Sequence, residues 1–160
     1  YGLGLGVVNS VDETMGGIYA GLLNFGGNFR GIVASVIINS GESCVGVCMG
    51  FANEMTQDAS GLLFGVYNNV GVADGSWQIG GGNMAEEGDG IYQAGLANFI
   101  LSNASGAFQF GGVNFVGGTM SGVQLGLFNY AGTLNGIQIG LLNMAMNGGM
   151  GFMPFFNAGF

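Results

Sequence analysis

The sequence predicts an all-β fold, a single β-solenoid of about eleven 15-residue coils, and three observations carry that prediction. An asparagine recurs as Asn9, Asn24, Asn39, Asn53, Asn68, Asn83, Asn98, Asn114, Asn129, Asn143 and Asn157, at intervals of 14 to 16 residues that span almost the whole chain. Ahead of each Asn, apolar residues alternate with small or polar ones, which is the period of a strand and not of a helix. The third observation is compositional. Glycine supplies 36 of the 160 residues while 49 % are hydrophobic, so the glycine marks a repeated backbone geometry in a chain with enough apolar area to fold.

Each unit opens with a strand. Counting the Asn as zero, positions −6, −4 and −2 read Ile137, Ile139 and Leu141 in one unit and Val123, Leu125 and Leu127 in another. This face is the expected core. Positions −5 and −3 carry Gln78 and Gly80, Gln93 and Gly95, Gln109 and Gly111, Gln124 and Gly126, and Gln138 and Gly140, the pattern of an outward face that glycine keeps flat. On that reading, valine at Gly126 and Gly140 disturbs packing against the outer face more than it disturbs the coil. In the earlier units Tyr19, Ala34, Cys48 and Leu63 stand where later units have Gln.

After the Asn comes a connector of about six residues closing on Gly, as in 12–17, 56–61 and 117–122. Eight of the nine acids lie in connectors, Glu54 being the exception, so these are the wet turns. Met15, Phe29, Ala59, Met120 and Leu134 are the apolar residues there, placed to fold back over the same core as a short return strand.

Units of this kind stack at about 4.8 Å, which makes eleven of them a rod of roughly 50 Å. Stacking also explains why unreactive residues repeat. Equal positions bring identical amides together, each donating to one copy and accepting from the other. The expected ladders are Asn68, Asn83, Asn98, Asn114, Asn129 and Asn143, and Gln78, Gln93, Gln109, Gln124 and Gln138. A closed antiparallel barrel is the alternative architecture, although it would put successive turns at opposite ends and leave identical units unexplained. Residues 1–149 form the repeat array, and 150–160, with the only Pro and four Phe, form an atypical C-terminal coil or cap.

Composition narrows the function. The net charge of −8 comes from nine acids against Arg30, with no His and no Lys. Phosphate recognition lacks its cations, so nucleic acid is not expected as a partner. Nucleophilic catalysis lacks its bases, so no enzyme and no cofactor are expected. Asp89 is the last charged side chain, and the 71 residues from 90 to 160 carry none, which points to a surface covered by another copy or by membrane. No apolar run approaches a helical membrane span, and nothing at Tyr1 reads as a signal sequence. Cys44 and Cys48 fit small buried apolar residues, a bridge across Gly46, or a metal pair, the first being the expectation.

The units "GVQLGLFNYA" (122–131) and "GIQIGLLNMA" (136–145) resemble the Gly/Gln/Asn surface repeats of bacterial surface-exposed proteins, and "SWQIGGGNMA" (76–85) follows more loosely. Residues 78–85 are also similar in motif to curli-type functional amyloid subunits. The units here are shorter and more apolar than curli repeats, and lack their leading Ser and second Gln. Both resemblances imply a secreted or surface-located structural protein.

Two candidate sites remain. Asp74 and Asp89 precede the closing Gly of successive units, a weak Ca²⁺ candidate against the simpler reading of solvated turn charges. Positions −1 and +1 give an outer apolar stripe that includes Phe99, Phe115, Phe128, Tyr130, Leu142 and Met144, the expected self-association surface. The expected function is that of a structural, extracellular or cell-surface bacterial protein whose partner is its own copy, in a fibre or coat. A membrane-associated β protein is the alternative, followed by a monomeric adhesin or ligand-binding solenoid.

Overall fold

The computed structural model describes residues 2–160. Almost all of them are extended, in six segments: β1 (Gly2–Met49), β2 (Ala52–Asp74), β3 (Trp77–Asp89), β4 (Tyr92–Ile100), β5 (Ala104–Asn147) and β6 (Phe152–Gly159). They lie side by side in chain order. From β1 to β5 every pairing is parallel, with partners such as Leu63 and Gln78, Asn68 and Asn83, or Gln93 and Gln109 one repeat apart. Parallel neighbours in this register make a solenoid, and the antiparallel barrel is set aside.

Segment lengths follow the corner chemistry. Where Gly75 and Gly90 take φ 58°, a left-handed turn interrupts the extended backbone and separates β2 from β3 and β3 from β4, while β4 and β5 part at the bend over 101–103 and Gly106, at φ 57°, lies inside β5. Where Gly31, Gly46 and Gly61 take φ of 124–151°, the chain bends while its pairing continues. β1 and β5 therefore wind onto themselves without a break, as the bonds from Asn9 to Asn24 to Asn39 and from Asn114 to Asn129 to Asn143 require.

The expected count of eleven equal coils is corrected. Six segments of very unequal length meet in five steps. The last step is antiparallel: Gly136–Met144 pairs with β6 run in reverse, Gly136 with Gly159 and Met144 with Phe152. Asn157 keeps the spacing of the other marker asparagines but lies outside their line.

The larger correction concerns which face is inside. Ile137, Ile139, Leu141, Val123, Leu125 and Leu127 were expected in the core, and none is buried; Ile139 is 47 % exposed and Leu141 54 %. The buried face is the one carrying Gln and Asn. Gln78, Gln93, Gln109, Gln124 and Gln138 are sealed from solvent, as are Asn24 through Asn143. The physical reason is that stacked amides satisfy one another, which removes the penalty that ordinarily drives polar side chains outward.

The −3 glycines serve this interior and not an outer face. A Cβ at Gly126 would stand 2.5 Å from Asn114 Nδ2, and one at Gly140 would stand 2.6 Å from Asn129 Nδ2. The apolar part of the core comes from the connectors and from the residues after each Asn. Met15, Phe29, Ala59, Met120 and Leu134 are all buried, as the return-strand reading expects, together with Met55, Val70, Ile100 and Val116.

Candidate functional site: the amide ladders and the apolar outer faces

Two parallel lines of amides run through the interior. The first joins Asn9 to Asn143 through nine side-chain hydrogen bonds of 2.8–2.9 Å, each Nδ2 donating to the next Oδ1. The second N–H of each amide donates to a backbone carbonyl of the following repeat, for example Asn68 to Ile79 O at 3.1 Å and Asn114 to Leu125 O at 2.9 Å. The Asn therefore ties its own corner to the strand of the next coil. Because the carbonyl accepts only from nitrogen, it also fixes which way the amide points.

The Gln line is shorter and runs the other way. Gln93 donates to Gln78, Gln109 to Gln93, Gln124 to Gln109 and Gln138 to Gln124, at 2.7–2.8 Å. Each Gln also reaches across the coil to the carbonyl six residues on, such as Tyr130 O from Gln124 at 3.1 Å. Donors point toward the C-terminus in the Asn line and toward the N-terminus in the Gln line. Their dipoles oppose, so over the repeats that carry both lines each offsets part of the other.

Earlier in the chain the Gln column is apolar. Cys48 pairs with Leu63, and Leu63 with Gln78. One residue before the expected Ala34, Val33 is the buried side chain, because the corner at 35–38 has one residue more than its neighbours. Cys44 and Cys48 form a disulfide across the interior, both sulfurs buried. This corrects the expectation of two unbridged thiols.

Outside, two apolar faces meet at the Asn corner. One is the −6, −4, −2 face described above. The other is the predicted stripe: Phe128 is 48 % exposed, Met144 41 %, Phe99 and Leu142 36 %, while Phe115 and Tyr130 are half-buried. Rings in this stripe stack along the axis, Phe115 and Tyr130 lying 4.8 Å apart and 7° from parallel. On the other face Trp77 and Tyr92 stack at 4.5 Å and 16°. The next rings in these columns meet tilted, Tyr92 and Phe108 at 38° and Phe99 and Phe115 at 45°. A groove of about 280 Å³ over Ala94 is walled by Trp77, Tyr92, Phe108 and Ile79.

Asp74 and Asp89 do lie opposite each other in the parallel pairing, both exposed. Among the described residues no three His, Cys, Asp or Glu gather into a group able to hold a metal ion. All nine acids are on the outside. Sequence reasoning missed the second apolar face, since the same residues had been placed in the core, and it missed the closure of both ladders by β6. Pro154, the only proline, is the signal that 152–159 ends the stack, since proline suits an edge strand.

These features define the class: a β-solenoid repeat protein with an amide-lined interior and an apolar exterior. Compared with protein-family models, with curated proteins and with solved structures, the chain matches none of them.

Proposed function

We propose that this chain is a structural protein that associates laterally with copies of itself through its apolar outer faces, at the cell surface or outside the cell. One observation carries the reading: two adjoining faces expose large apolar side chains over a stretch of 71 residues without a charge. Isolated soluble proteins rarely leave contiguous apolar patches beyond a few hundred Å² uncovered. Rings and aliphatic side chains in columns at one spacing suit a second column of the same spacing, which favours an identical partner over an unrelated one. The Cys44–Cys48 disulfide supports an oxidising compartment. The chemistry of the chain supports no reaction, since it has neither His nor Lys and its acids lie dispersed on the outside.

A membrane is the second reading, favoured by the exposed Phe152, Phe155, Phe156 and Phe160 beside the same faces. The deciding experiment is sedimentation velocity and negative-stain microscopy of the folded chain without detergent, beside the variant Phe128→Lys/Leu142→Lys. Self-association predicts wide assemblies for the parent and dispersed particles for the variant. Assemblies unaffected by the two lysines refute the lateral surface, and particles that remain soluble only in detergent or bind lipid vesicles move the assignment to the membrane.

A further inference from the structure

We propose that β6 is a built-in terminator, which closes the last coil against a second copy of the chain and so keeps the solenoid from growing end to end. A parallel stack has no natural stop: every coil presents to the next an Asn donor and an open strand edge, and from Gln78 onward a Gln acceptor as well. At the C-terminal end all three are occupied by β6. Asn143 Nδ2 donates to Met153 O at 3.2 Å. Gln138 Oε1 accepts from Asn157 Nδ2 at 3.1 Å. Asn157 is itself held in place, donating to Met150 O at 2.9 Å and accepting from Met150 N at 3.0 Å through Oδ1. It is buried.

The way β6 occupies the edge matters as much as the occupation. It runs antiparallel, so the parallel register that propagates the stack ends there. Its own outer edge is interrupted, because Pro154 has no N–H to offer and Phe155 sits at φ 68°. Phe155 is the one non-glycine residue with positive φ among the described residues. A bulky aromatic in that region is strained, and here the strain coincides with the register shift between Gly140 and Asn143 in the pairing of β5 with β6.

The occupant that β6 excludes is a second copy of this chain. The Asn143 amide and the strand edge are what each repeat offers the next, 14 to 16 residues on, and the first coil of a second copy, which starts the Asn line at Asn9, matches them; that coil has Gly4 in the Gln column and offers Gln138 no side-chain donor. This inference goes beyond lateral association and stands without it, since it concerns length along the axis and not width.

The test compares the full chain, a chain ending at Asn147, and the full-length variant Asn157→Leu. Negative-stain microscopy reads particle length and width separately, while circular dichroism and thiol titration of the disulfide report folding. The full chain is expected to be one solenoid long whatever its width. The shortened chain is expected to grow in length at single-solenoid width, with an axial association constant raised by about fivefold, the equivalent of one regained net hydrogen bond. Asn157→Leu removes the amide that ties β6 to Gln138 and to the Met150 backbone and keeps every apolar residue of β6; by loosening β6 it is expected to lengthen particles to a smaller degree. A folded shortened chain no longer than the parent overturns the proposal, as does a parent that itself grows in length. Should the shortened chain fail to fold, Asn157→Leu decides alone, and no gain in its length overturns the proposal. Lateral association succeeds or fails on width, so the two readings are separable.

Discussion

The same interior column is built in two ways along this molecule. Through the first repeats it holds Tyr19, Val33, Cys48 and Leu63, and from the middle onward it holds Gln78, Gln93, Gln109, Gln124 and Gln138. The Asn line beside it runs through both regions unchanged. Two solutions to filling one column thus share one frame. The apolar region is closed by burial and a disulfide, and the polar region by hydrogen bonds along and across the coil. The acids divide in parallel: all nine lie before residue 90, and the Gln-lined region from there on has none. The difference teaches that the Asn corner is the structural constant of this solenoid, while the Gln column is a replaceable filling.

The largest expected effect lies in what the two regions share. Gly126→Val with Gly140→Val drives side chains into Asn amides and backbone, and overpacking of about 2 kcal/mol at each of two sites stacked in contact makes this pair the largest loss of the series, though not a simple sum. Gly65→Val, which meets Asn53 Nδ2 in the apolar region, should cost as much as either single change, about 2 kcal/mol. Urea unfolding checks both, and unequal costs in the two regions would break the claim of a common frame.

Next comes the filling itself. Gln109→Leu leaves Gln93 Oε1 without its donor and one Gln124 N–H without its acceptor, a loss of about 2–3 kcal/mol. The reverse change, Leu63→Gln, places an amide directly beside Gln78 and extends the line by one rung, so its effect should stay within about 1 kcal/mol. Equal losses from the two substitutions would mean that the line is not extendable.

Replacing both cysteines with alanine should cost about 2 kcal/mol, as expected for a bridge between residues four apart, and should leave the Gln-lined region's protection unchanged. The smallest effect is a gain. Ser76 Oγ is buried and has no hydrogen-bond partner, so Ser76→Ala should stabilise by about 1 kcal/mol.

Period, strand type and parallel stacking were legible because the Asn spacing is independent of hydropathy. The buried connector residues Met15, Phe29 and Leu134 were legible too, being the only large apolar groups in otherwise wet turns. The inside of the coil was not. Alternation gives two faces without saying which is buried, and hydropathy chose Ile137 and Ile139 over Gln138, since the worth of a buried Gln depends on the Gln stacked above it. Alternation also fails at the corner, where positions −2 and −1, Leu141 and Leu142, both face outward. Asn157 misled the count because it keeps the spacing while changing role. Of the −1 and +1 stripe, Phe99, Phe128, Leu142 and Met144 are exposed and Phe115 and Tyr130 half-buried, and its neighbouring face was lost with the inverted core.

The most direct test of the account is hydrogen exchange of the side-chain amides, measured by nuclear magnetic resonance on the folded chain. Gln57 is exposed, its amide donating only to Glu42 Oε2 at 3.3 Å on the surface, and serves as an internal reference for fast exchange. The account predicts slow exchange for the amides of Asn24 through Asn143 and, with them, for Gln78, Gln93, Gln109, Gln124 and Gln138. Glutamines exchanging as fast as Gln57 while the asparagines stay protected would contradict it, and would return the Ile137, Ile139 and Leu141 face to the core.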